Sequence, residues 1–96
     1  MFQVVWLQAA LHELADIWTQ ANSSQRRAIT AATHRIDQLL QTDPHLRGES
    51  RPPGQRVLFQ PPLGIVFQAL PQRSLVRVFP VWRFRQRGEA GGPANS

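Results

Sequence analysis

An α+β fold is predicted by three observations: a short run rich in valine and aromatic residues at the start, two helical-period stretches parted by a polar turn, and three extended runs bounded by proline and glycine. The predicted order is strand, helical hairpin, then a three-strand antiparallel meander, with both helices on one sheet face and the other face open. Ninety-six residues bound this to one core, and hydrophobic residues at 42% of the chain argue against wholesale disorder.

Phe2 to Leu7 suits the first strand. From Gln8 the period changes, with Ala10, Leu11, Leu14, Ala15, Ile17 and Trp18 recurring on one helical stripe. Asn22-Ser23-Ser24 supplies side chains that cap a helix start, and the second stripe is Ile29, Ala32, Ile36, Leu39 and Leu40. Pro44 disfavours helical geometry at Asp43, so this helix ends near Thr42.

His45 to Gln55 reads as a loop, because it mixes glycine and proline with polar residues. The meander then runs through Arg56 to Gln60, Leu63 to Leu70 and Ser74 to Arg85, with turns at Pro61-Pro62 and Pro71-Gln72-Arg73. Pro80 removes a donor from the last strand and predicts a bulge, an edge or a split there. Residues 1–87 form the predicted domain. Residues 88–96 have no apolar anchor and are expected to be a disordered tail.

Cysteine is absent, so neither disulfides nor thiolate metal sites support the fold. The N-terminus lacks the pattern of a secretion signal, and no apolar stretch approaches the length of a bilayer span. A cytoplasmic protein without membrane contact is expected. All 11 basic residues are arginine, and the formal charge is +5. Nucleotide composition alone can remove lysine, but a guanidinium also binds phosphate or carboxylate through a planar fork and stacks on rings.

The helical hairpin, Asp43-Pro44, Gly48-Glu49-Ser50-Arg51, Gly54-Gln55-Arg56, the run Pro61 to Phe67 and the ending Val81-Trp82-Arg83-Phe84-Arg85 together resemble RelE/ParE toxins of type II toxin–antitoxin systems. The resemblance covers the chain up to Arg87 and rests on the order of elements more than on any one motif. It implies a growth-inhibiting toxin that acts by RNA cleavage on the ribosome or by poisoning DNA gyrase, with a cognate antitoxin as partner. Arg56 matches the family's basic residue near the start of the second strand. Arg85, with Arg83 as a close competitor, matches its terminal basic residue, and Arg51 falls where the loop arginine often lies. Lysine and tyrosine, common in RNA-cleaving members, are missing here, and Trp82 stands where many relatives carry histidine.

RNA cleavage needs a base, an acid and cations for the phosphorane, and arginine supplies only the last, because a guanidinium holds its proton near neutrality. Arg56, Arg83 and Arg85 are therefore the catalytic candidates, with a non-nuclease target favoured. Arg51, Arg56, Arg77, Trp82, Arg83 and Arg85 are the candidates for anion or partner binding. Arg77, Arg83 and Arg85 have matching parity on the last strand, and so share a face unless Pro80 breaks the count. Arg51, Arg56 and Arg85 are expected to converge on one concave face. His45 is the one imidazole near Arg51 and Arg56. His12 with Glu13, and His34 with Asp37, read as the exposed polar sides of the two helices. Neither a metal nor a cofactor is expected. The partner is expected to offer an acidic amphipathic segment, and the reading from another class is a catalytically inert module that keeps the fold without toxicity.

Overall fold

The computed structural model describes residues 1–84. Strand β1 (Gln3–Trp6) leads into helix α1 (Gln8–Thr19) and helix α2 (Ser23–Gln41). Strands β2 (Glu49–Arg51), β3 (Gln55–Gln60), β4 (Leu63–Leu70) and β5 (Leu75–Arg83) follow, with short 3₁₀ turns at Pro44–Leu46 and Pro71–Arg73. The sheet order is β1-β5-β4-β3-β2. The β2 to β5 neighbours run antiparallel, and β1 joins β5 in parallel, with Val4 opposite Val76 and Trp6 opposite Val78.

Two elements differ from the sequence reading. Glu49–Arg51 pairs with β3 inside the segment read as a loop. All three residues are exposed, so β2 carries no apolar alternation to betray it. The first strand also joins the sheet in parallel, which the helical hairpin permits by carrying the chain back across one face.

Helix α2 begins at a reciprocal capping box. Asn22 Oδ1 accepts the Gln25 backbone N–H at 2.8 Å, and Gln25 Oε1 accepts the Asn22 N–H at 2.9 Å. Arg26 closes the hairpin from the next turn, donating from Nε to Trp18 O at 2.9 Å and from Nη2 to Thr19 O at 3.1 Å. These carbonyls belong to the last turn of α1, which lacks partners within its own helix. The same guanidinium lies 4.3 Å from the Trp18 ring centroid.

The core lies between the helices and one sheet face. Ile29, Ala32, Ile36 and Leu40 of α2 meet Leu63, Ile65, Phe67, Val76, Val78 and Val81, with Ala10 contributed by α1. Helix α1 is less deeply set than its stripe suggests. Leu14 and Ile17 are half-buried, whereas Leu11 is 50% and Trp18 44% exposed. Trp18 is thus a surface ring held by Arg26, not the core packing residue that the stripe implies. No described helix is long and apolar enough to cross a membrane. The expected tail and Arg85 lie outside the described residues.

Candidate functional site

The helices cover one face of the sheet and leave the other open. Facing residues in paired strands point to the same side, so register assigns each candidate to a face. Arg56 lies opposite Phe67, and Arg83 opposite Leu63, both fully buried partners on the helix side. Arg51, opposite Gln55, and Arg77, opposite Gln68, belong to the open side. Trp82 also faces the open side, against Gly64.

The expected agreement of Arg77 with Arg83 therefore fails, and the cause is Pro80. Ile65 pairs with Val81 and Phe67 with Val78, so Phe79 and Pro80 together oppose Val66 alone. This bulge inserts one residue into β5 and reverses the side-chain alternation beyond it. Arg51 and Arg56 likewise fall on opposite faces, because Ser50, not Arg51, is the partner of Arg56. Arg51 and Arg56 therefore do not share one face, and Arg85, the third residue expected there, lies outside the described residues.

Arg56 is committed to the backbone. Its Nε donates to Arg47 O at 2.6 Å and its Nη2 to Gly48 O at 3.1 Å. Arg47 in turn donates from Nε to Leu39 O at 3.1 Å and Thr42 O at 3.2 Å, so it closes the C-terminal end of α2. Between them, the two guanidiniums fasten the segment leading into β2 to the helix layer. Gly48 is required there, since its φ of +67° is left-handed and a Cβ would collide with the Val57 carbonyl. Arg51 pairs with Glu49 at 3.1 Å, in an exposed ion pair.

Among the described residues, the end of the open face near Phe59 carries aromatic surface. Phe59, 53% exposed, meets Trp82 edge-on at 6.0 Å between ring centroids and Phe84 edge-on at 5.3 Å. Trp82 lies flat over Gly64, where a Cβ would come within 2.6 to 2.8 Å of its indole atoms. Val57 and Val66 continue this surface toward Arg51 and Arg77. The sequence reading singled out Trp82 but missed Phe59, which ends the unbroken apolar run Val57-Leu58-Phe59 and so carries no alternation to mark its face.

The helix acids have structural partners that the exposed-face reading missed. Glu13 Oε1 accepts the Val81 N–H at 2.9 Å. Asp37 accepts from Trp6 Nε1 at 3.4 Å and from Gln41 Nε2 at 3.1 Å, tying α2 to β1. His12, His34 and His45 are exposed on the helices and the first 3₁₀ turn. On the outer side of the hairpin a groove of about 370 Å³ is lined chiefly by Leu11, Leu14, Trp18, Ile29 and Thr33.

No family model matches the chain, and no curated protein matches it in sequence. Solved structures do match in shape. A chain of the chromosomal ParDE toxin–antitoxin system from P. aeruginosa superimposes with a TM-score of 0.70 at 18% identity, over 88% of this chain and 98% of that one. The isolated E. coli RelE toxin gives 0.58 at 14% identity, over 92% of this chain and 89% of RelE. A chain of the E. coli RelBE toxin–antitoxin complex gives 0.54 at 16% identity, over 90% and 100%. The helical hairpin, the five-strand sheet and this near end-to-end coverage lead to one conclusion: the chain has the fold of RelE/ParE-type toxins.

Proposed function

We propose that this chain is the toxin of a type II toxin–antitoxin pair, and that it inhibits growth through the open face of its sheet. The observation that carries the reading is the surface of Phe59, Trp82 and Phe84, left uncovered by the other described residues, continuous with Val57 and Val66 and bordered by Arg51 and Arg77. Aromatic groups left at a surface favour contact with a partner, and the bordering guanidiniums favour an anionic one. Proton transfer by histidine from this face is not supported, since the described histidines lie on the helices and the first 3₁₀ turn. A non-nuclease target is therefore the favoured branch, with RNA cleavage the other.

The partner is an antitoxin with an acidic amphipathic segment. Its apolar side fits the groove of Leu11, Leu14, Trp18 and Ile29, and its carboxylates complement a chain of net charge +5. The matched ParDE and RelBE structures each come from a toxin–antitoxin system.

The test is inducible expression in a bacterial host, with and without the product of the adjacent gene. Arrest relieved by that product supports the toxin reading. Normal growth with the folded chain accumulating supports the catalytically inert module instead.

A further inference from the structure

Arg26, Arg47 and Arg56 donate to main-chain carbonyls, and Arg51 pairs with Glu49. Arg73 and Arg77, like Arg27, Arg35 and Arg83, have neither kind of partner among the described residues. They nonetheless share a cavity of about 420 Å³ with Leu70, Pro71 and Gln72.

Backbone geometry fixes this cavity at the end of the β4–β5 hairpin. Leu70 pairs with Leu75 and Gln68 with Arg77, so the side chains of both pairs rise on the open face. Between them the chain makes the 3₁₀ turn Pro71–Arg73, closed by Ser74 N donating to Pro71 O at 3.1 Å, with Ser74 left-handed at φ 50°. Proline sets φ at the start of this turn, which restricts where Arg73 leaves the backbone. Arg77 sits on an interior strand, flanked by Val5 of β1 and Gln68 of β4. Its Cζ lies 5.7 Å from the Phe79 ring centroid. Contact with a ring face engages the flat side of a guanidinium and leaves its in-plane N–H donors available.

We propose that Arg73 and Arg77 form a binding site for a phosphate group, with the Gln72 amide as a further donor. Two like charges lining one concavity repel, and a bound anion removes that repulsion. One guanidinium fork already satisfies both oxygens of a carboxylate, whereas the tetrahedral oxygens of a phosphate can engage two forks from different directions. The half-buried Arg77 gains most, because an unpaired charge shielded from water is costly. This site does not depend on the toxin reading: a chain without toxicity keeps it.

The experiment is an NMR titration of the full chain with inorganic phosphate, against chloride at equal ionic strength, following the arginine Nε–Hε signals. Saturable shifts are expected at Arg73 and Arg77, with Arg27 and Arg35 on the exposed side of α2 as internal controls. Arg73→Gln and Arg77→Gln should each weaken binding about tenfold or more, the loss expected when one charge-assisted hydrogen bond is removed. A nucleoside monophosphate and a dinucleoside monophosphate, run in parallel, identify the source: preference for the first marks a phosphomonoester site, and equal binding a diester site. Equal shifts at Arg27 and Arg35, or unchanged binding in folded Arg73→Gln protein, would overturn the assignment.

Discussion

Glu13 on α1 holds the backbone N–H of Val81, 68 residues away, at 2.9 Å. The contact exists because β1 stops short of it. Trp6 is the last residue of β1 to pair with β5, and Leu7 N donates to Val78 O as the chain turns into the helix. Beyond that point β5 has lost its neighbour on this side, so the Val81 amide has no β1 carbonyl to meet. The carboxylate supplies the acceptor. Glu13→Ala should therefore destabilise the fold by about 1 to 3 kcal/mol. Glu13→Gln keeps an acceptor oxygen and should lose less. Urea unfolding of the two variants measures the difference, and equal losses would show that the hydrogen bond contributes nothing.

Gly64 and Trp82 are matched in size across β4 and β5. Gly64→Ala forces the indole to move and should cost about 1 to 3 kcal/mol, with a shift in tryptophan fluorescence. The same substitution in a Trp82→Ala background should cost much less, because the obstructing ring is gone. A double-mutant cycle reads the coupling directly, and additive losses would mean that the ring does not rest on Gly64.

Ile36 and Leu11 are apolar residues on helical stripes, yet they should respond differently. Ile36 is fully buried, so Ile36→Ala should cost about 2 to 5 kcal/mol. Leu11 is half exposed in the outer groove, and Leu11→Ala should change stability by less than about 0.5 to 1 kcal/mol. If the groove receives the antitoxin, Leu11→Ala should instead weaken that complex. Thermal unfolding and partner binding, measured on both variants, separate the two roles.

Arg56 holds two loop carbonyls, so its loss has a structural effect before any functional one. Arg56→Ala should destabilise the chain by about 1 to 3 kcal/mol and speed amide exchange in β2. Arg56→Lys preserves charge but not the two-armed fork, and should show most of the same effect. Unchanged exchange in both variants would return Arg56 to the pool of freely available cations.

The period of each long element was legible because burial imposed it. Ile29, Ala32, Ile36 and Leu40 face the core at helical spacing, and Ile65 and Phe67 do so at strand spacing. Strand β2 was not legible, since Glu49, Ser50 and Arg51 are exposed and pair by backbone alone. The arginine faces were legible only up to Pro80. That residue announced an irregularity, but whether it would be a bulge, an edge or a split depended on what packed beside β5. The resulting bulge separates Arg77 from Arg83 and leaves Phe59, Trp82 and Phe84 as the distinctive surface of the open face.

Growth after induction, compared between the natural chain and Phe59→Glu, tests the proposed function most directly. Phe59 is 53% exposed, so placing a charge there alters the open face while leaving the core intact. The natural chain should arrest growth, and the variant, accumulating to the same level with an unchanged circular dichroism spectrum, should permit it. Arrest of equal strength from both chains, or normal growth with the natural chain folded and abundant, would contradict a toxin acting through this face.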